Sequence, residues 1–117
     1  MKHLRPYFKA LCDDRRLEII GFLVEREHCI CELIEKLGLS QATVSYHVKL
    51  LNDMGLISCR QIGRSTYCSI SKSGFKSYVS LLEERMLKPI LEATPKDATF
   101  SACYRKPEDK SKDLKTT

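Results

Sequence analysis

The segment Glu35-Lys-Leu-Gly-Leu-Ser-Gln-Ala-Thr-Val44 constrains this chain more than any other. Within three residues, Gly38-Leu39-Ser40, one helical pattern stops and another begins. Glycine tolerates the left-handed conformation common just past a helix, and serine is a good N-cap. Before the break, Leu33, Ile34 and Leu37 form the apolar stripe of a short helix. After it, Val44, Val48, Leu51 and Met54 recur at helical spacing until Gly55. Two short helices joined this tightly have the length and chemistry of a helix-turn-helix. The outer face of the second carries Gln41, Ser45, Tyr46, Lys49 and Asp53, a face rich in hydrogen-bonding groups.

The period then changes. Leu56 to Ile62 and Ser65 to Ile70 alternate like strands and flank Gly63-Arg64, the pattern of a β-hairpin. Ile57 and Cys59 share one side of the first strand, and Thr66, Cys68 and Ile70 one side of the second. Cys59 and Cys68 therefore read as core residues, since buried cysteine behaves as a small apolar side chain. A hairpin directly after such a helix is a wing. Arg60 and Arg64, expected near its tip, suit the minor groove and the phosphates beside it.

The remaining segments complete a mainly α architecture. Residues 4 to 11 read as a first helix, and Asp13 or Asp14 can cap a second with Leu17, Ile20, Leu23 and Val24 as its apolar positions. Ser71 or Ser73 caps a last helix in which Phe75, Val79, Leu82 and Met86 approach a coiled-coil seam. A monomer this small has little left to cover that stripe, which is read as a dimer interface. Pro89 is expected to interrupt this helix. The predicted fold is thus a homodimeric winged helix-turn-helix, mainly α with a β-hairpin wing. One domain spans residues 1–103, and the charged segment 104–117 reads as a disordered tail.

At 117 residues the chain has room for a single core. Its net charge of +5 permits a polyanionic partner without requiring one. No apolar run has the length of a membrane helix, and nothing apolar follows Met1-Lys-His-Leu-Arg-Pro6 as in a signal peptide. The expected location is cytoplasmic. Six cysteines are many for this length. In a reducing compartment they are candidates for metal binding or redox chemistry. The absence of any Cys-x-x-Cys pair argues against a zinc ribbon or a thioredoxin-like site.

Three blocks carry a family resemblance: "ALCDDRRLEIIGFL" (10–23), "CICELIEKLGLSQATVSYHVKLLNDMGLI" (29–57) and "GRSTYCSISKSG" (63–74). In this order and spacing the chain resembles the ArsR/SmtB family, dimeric winged-helix repressors that release DNA on binding a metal or metalloid. The resemblance covers roughly residues 7 to 88. It implies double-stranded operator DNA as the partner and dimerisation through the first and last helices. The DNA contacts it implies are Ser40, Gln41, Thr43, Ser45 and His47, with Tyr46 and Lys49 as further candidates. His47 also fits a place tucked toward the core. Gln can bond an adenine edge bidentately, Ser and Thr can bond bases or phosphates, and Lys supplies phosphate affinity.

The same resemblance reaches Cys29-Ile-Cys-Glu32. Arsenic-, antimony-, cadmium- and lead-sensing members carry Cys-Val-Cys-Asp at the start of the helix before recognition. Both cysteines match, and Glu32 stands at the Asp position. In a regular helix, residues two apart point about 200° away from each other, so the two thiols converge only if Cys29 lies outside the helix or the first turn unwinds. Soft thiolates select As(III), Sb(III), Cd(II), Pb(II), Cu(I) or Zn(II) over hard ions. As(III) or Sb(III) is the expected inducer, and a helix N-terminus favours the thiolate it needs. As(III) takes three thiolates, and the position one turn on, a third ligand in some arsenic sensors, is Ile34. Cys103 is the preferred third ligand, possible from a partner subunit, with Cys12 behind it. The family's Asp/His zinc site on the last helix has no counterpart, because residues 72 to 88 contain neither Asp nor His.

Three rival readings remain. A thiol redox or persulfide sensor would keep the fold and change the signal. A metal-storage or chaperone module would need no DNA face, which residues 40–49 and the wing supply. An enzyme would need a base partnered to a thiol, and the only hint is His28 beside Cys29.

Overall fold

The computed structural model describes residues 4–93. Cys103 and segment 104–117 lie outside the described residues. The elements run α1 (Arg5–Leu11), α2 (Asp14–Glu25), β1 (His28–Cys29), α3 (Ile30–Leu37), α4 (Gln41–Asp53), β2 (Ile57–Ile62), β3 (Ser65–Ile70) and α5 (Lys72–Leu82). A π-type turn, Glu83–Leu87, then leads into α6 (Lys88–Glu92). The strands form one antiparallel sheet in the order β1-β3-β2.

Each helix start has its own sequence cause. Asp13 caps α2, its carboxylate accepting from the backbone N–H of Arg15 and Arg16 at 2.8 and 3.2 Å. Ser40 caps α4 through Thr43 N–H, and Ser71 caps α5 through Gly74 N–H. Gly38 ends α3 at φ 66°, in the left-handed region that glycine enters without a Cβ penalty. One core joins α2, α3, α4 and the sheet: Ile19, Leu23, Leu33, Leu37, Val44, Val48, Leu51, Leu56, Ile57 and Cys68 are all buried. The helix-turn-helix pair, α3 and α4, therefore packs as one body on the sheet.

Several expectations are corrected. The buried stripe of α2 is Arg16, Ile19 and Leu23, whereas Leu17 and Val24 face outward. The pattern is shifted because a buried arginine, not an apolar residue, occupies its first position. Pro89 does not interrupt the last helix. The π-type turn widens the backbone one turn earlier, with Lys88 N–H donating to Glu83 C=O. The helix thereby accommodates a ring that would clash with the carbonyl four residues back. Strand β1 was not anticipated, two residues being too short for a periodic signal. It pairs His28 with Cys68 and Cys29 with Tyr67.

Gly74 makes the tightest contact in the fold. A Cβ at this position would lie 1.8 Å from the carbonyl oxygen of Gly55. The start of α5 is thereby pressed against the turn that ends α4. Tyr7 and Tyr78 stack at 4.9 Å between ring centroids, so α1 also lies against α5. α5, the π-type turn and α6 contain no buried residue.

Candidate nucleic-acid interface and thiol site

The recognition-like helix α4 presents its polar residues as the heptad spacing requires. Gln41, Thr43, Tyr46 and Lys49 are exposed, as is the cap Ser40, and Ser45 is half-buried. Ser40 Oγ also donates to Thr43 Oγ1 at 2.9 Å, which fixes both hydroxyls at the helix start. Lys49 pairs with Asp53 one turn on at 3.2 Å, an exposed pair of small energetic weight that a phosphate could displace.

His47 is not on this face. It is buried, and Arg16 Nη1 donates to its Nδ1 at 2.9 Å. Arg16 is buried too and also donates to the carbonyls of Ala10 and Lys9 at 2.6 and 3.2 Å. One guanidinium thus ties the end of α1, the body of α2 and the middle of α4 together. The candidate DNA contact at His47 is corrected to an anchoring role, since a ring turned inward leaves no edge for a base. Arg16 was missed as a structural residue. The available signal was its place in the 16, 19, 23 spacing, where a charged residue interrupts an apolar stripe.

The wing separates its two arginines. Arg64 lies in the turn after Gly63 and is exposed. Arg60 sits within β2 opposite Tyr67, not near the tip. Its guanidinium grips Glu27 at both carboxylate oxygens, at 3.0 and 2.7 Å, and this contact holds the Glu27 pKa below its ordinary value. Arg60 therefore braces the wing against the α2–β1 connection instead of reaching outward. Sequence reasoning placed both arginines together because Glu27 is 33 residues away.

The cysteine pair lies at the start of α3. Cys29 has extended backbone and is the N-cap, so it stands outside the helix. Its Sγ accepts from Glu32 N–H at 3.4 Å, and the Glu32 carboxylate accepts in return from Cys29 N–H at 3.1 Å. This is a capping box with a sulfur in the serine position. Hydrogen bonds from Arg26 and from Cys29 N–H hold the Glu32 pKa down at about 2. Cys31 is in the first turn and exposed, whereas Cys29 is buried. Their sulfurs converge and are joined as a disulfide across a Cα–Cα distance of 5.3 Å. The geometric condition for convergence, Cys29 outside the helix, is met.

His28, next to Cys29, is completely buried. Its Nδ1 lies 2.9 Å from the Arg26 carbonyl and its Nε2 2.9 Å from Lys36 Nζ. The carbonyl can only accept, so Nδ1 carries the proton and Nε2 accepts from the ammonium. Both ring nitrogens are thus occupied in structural bonds, and His28 is no base for Cys29.

A cavity of about 290 Å³ joins these parts. Cys29, Cys31 and Ile34 form one wall, Gln41 and Ser45 of α4 another, and Arg64, Ser65 and Thr66 of the wing the third. Ser65 and Thr66 were not singled out in the sequence, because nothing local links the hairpin to residues 29–31. Cys12 is exposed between α1 and α2 and does not line this cavity. Among the described residues there is no cluster of three or more His, Cys, Asp or Glu placed to hold a metal ion.

Residues 13–58 match the model of the bacterial regulatory protein family arsR. The arsenical resistance operon repressor of Bacillus subtilis is 40% identical over 72 residues, which cover 58% of this chain and 69% of that one. The chain belongs to the ArsR family. The regulator is also 37% identical over 73 residues to a cadmium resistance regulatory protein CadC homolog of Staphylococcus aureus, covering 62% of this chain and 60% of that one. A crystal structure of an ArsR family transcriptional regulator superimposes with a TM-score of 0.68 at 26% identity, covering 80% of this chain and 95% of the other. The regulator spans 53–60% of the length of two of its curated relatives. Family and fold together make it a winged-helix transcription regulator. Among the described residues, no helix is long and apolar enough to cross a membrane.

Proposed function

We propose that this chain is a homodimeric repressor that binds operator DNA and is released when reduced Cys29 and Cys31 capture a thiophilic ion, As(III) or Sb(III) first. The observation that carries the reading is the cavity in which both cysteines, Gln41 and Ser45 of α4, and Arg64 of the wing share walls. A change at the sulfurs has a short mechanical path to the DNA-facing residues. Cys29 caps α3, and Leu33 and Leu37 of α3 share a core with Val44 and Val48 of α4. Ion capture and DNA binding then compete for the geometry of one helix pair, and a few kcal/mol of coupling suffices to switch.

Two converging thiols fit a soft ion and supply two of the three sulfurs As(III) prefers. Cys103, outside the described residues, is the proposed third donor, with Cys12 as its substitute. The ion supplies strong sulfur bonds that hold the two side chains in a fixed relation. Cys29 has to turn its sulfur from Glu32 N–H toward that ion, which opens the capping box. Relatives named for arsenical and for cadmium resistance match almost equally well, so cadmium, lead, zinc and copper(I) enter the test as competitors.

Ser40, Gln41, Thr43, Ser45, Tyr46 and Lys49 read the operator, and Arg64 holds the neighbouring backbone. Dimerisation through α1 and the last helix is supported by apolar surface left there: Phe8, Val79, Leu87, Ile90 and Leu91 are exposed, the last at 74%. A second reading has its own support. The Cys29–Cys31 disulfide favours an oxidant as a signal at the same site, acting through the same cap.

Fluorescence anisotropy of labelled DNA from upstream of the gene tests both readings. Reduced protein should bind and be released by arsenite, and Cys29→Ser/Cys31→Ser should bind without release. Release by diamide but by none of the ions would transfer the function to redox sensing. Binding unaffected by either would sink the assignment of this site.

A further inference from the structure

A second pair of cysteines lies in the wing, apart from the cavity. Cys59 of β2 and Cys68 of β3 stand directly opposite each other in the antiparallel register, with Sγ atoms 3.5 Å apart. Directly opposed antiparallel residues have Cα atoms about 4.5–5.5 Å apart, within the roughly 4.4–6.8 Å that a disulfide spans. Both are free thiols; Cys59 is half-buried and Cys68 fully buried. Each needs only a side-chain adjustment to bond the other, because β2 and β3 already hold the backbone in place.

From this geometry we infer that Cys59 and Cys68 are a hydroperoxide-sensitive dithiol that closes to a disulfide across the wing. Cys59 is the attacking group. It is the more accessible of the two, and the facing Cys68 thiol, within hydrogen-bond reach, lowers its pKa to about 7. Contact with Cys59 and then burial raise Cys68, so it stays a thiol and resolves. The Cys59 thiolate attacks one peroxide oxygen. The O–O bond breaks, an S–O bond forms, and hydroxide leaves to take up a proton. The Cys68 sulfur then attacks the Cys59 sulfenic sulfur, forming the S–S bond. The S–O bond breaks, and the oxygen leaves as water with the proton that Cys68 gives up. Two thiols are oxidised by two electrons and the peroxide is reduced to two waters.

The consequence reaches beyond the wing. Cys68 pairs with His28 on its other side, and His28 precedes the α3 cap. The disulfide would therefore clamp the two wing strands at the row that carries β1. This inference does not depend on which ion, if any, Cys29 and Cys31 bind.

The test uses full-length reduced protein treated with hydrogen peroxide, quenched by alkylation and mapped by peptide mass spectrometry. A parallel sample carries Cys12→Ser, Cys29→Ser, Cys31→Ser and Cys103→Ser, leaving the wing pair alone. In both, a peptide linking Cys59 to Cys68 should appear, and the four-serine protein should lose two hydrogens in mass. Adding Cys68→Ser should halt the reaction at a Cys59 sulfenic acid that dimedone traps. Adding Cys59→Ser instead should leave Cys68 reduced. The inference is overturned if Cys59 and Cys68 stay alkylatable in wild type at peroxide doses that oxidise Cys12. It is equally overturned if Cys59 is found bonded only to other cysteines.

Discussion

Gly74→Ala should loosen the joint between the last helix and α4 while leaving every polar contact of α4 in place. The added Cβ would sit 1.8 Å from Gly55 O and 2.8 Å from Gly55 C. Ordinary contact begins near 3.4 Å, so the start of α5 must move by well over an ångström or the Gly55 turn must yield. The obstacle is backbone, which cannot rotate aside, and Gly55 itself is held at φ 73°. Overpacking of this kind costs about 1–3 kcal/mol, occasionally more, and this clash belongs at the upper end. Alanine regains up to ~1 kcal/mol of helix propensity, leaving a net loss of about 2 kcal/mol. For a domain of this size that corresponds to a melting temperature lower by roughly 10 °C. Urea denaturation followed by circular dichroism, with the slope unchanged and the midpoint lowered, is the assay. Equal or greater stability in the variant would refute the reasoning, because it would mean that α5 and the Gly55 turn are not in contact.

The other predictions concern charge and burial. Arg64→Ala should weaken operator binding and lower the salt-dependence slope by about 0.9, the value for one phosphate contact. Arg60→Ala should leave that slope unchanged, because its guanidinium is occupied by Glu27; a matching loss in both would contradict the division of roles. Arg16→Met should destabilise by about 2–3 kcal/mol, since it deprives two carbonyls and His47 of a charged donor at once; thermal melts give the number, and a neutral result would contradict the anchor. Glu32 has a folded pKa of about 2 against 4.5 in the unfolded chain. Its contribution is therefore complete above pH 4.5 and fades as pH falls toward 2. Glu32→Gln should flatten the stability profile across that window and leave the profile above pH 5 parallel to wild type.

Much of this molecule is legible along the chain. Gly38 and Ser40 mark the turn because a left-handed residue and a helix cap are local requirements, met by local chemistry. The hairpin follows from alternation and from Gly63. The convergence of Cys29 and Cys31 follows from the rule that an N-cap stands outside its helix. What failed did so for one reason: the deciding partner was distant. His47 has a polar ring on a polar-looking helix, and only Arg16, 31 residues earlier, turns it into an anchor. Arg60 resembles Arg64 until Glu27 takes its guanidinium. Pro89 breaks a regular helix, yet a π-type turn absorbs it.

By itself, then, the sequence determined the order of elements, their caps and turns, and the identity of the cysteine motif, since each depends on neighbours within about one helical turn. Only the tertiary structure decided which polar residues face outward, which thiols stand opposite each other, and that the α3 cap, α4 and the wing turn border one cavity. Those facts depend on packing between segments up to 37 residues apart, from Cys29 to Thr66, and burial and hydrogen bonding between such segments leave no periodic trace in either one.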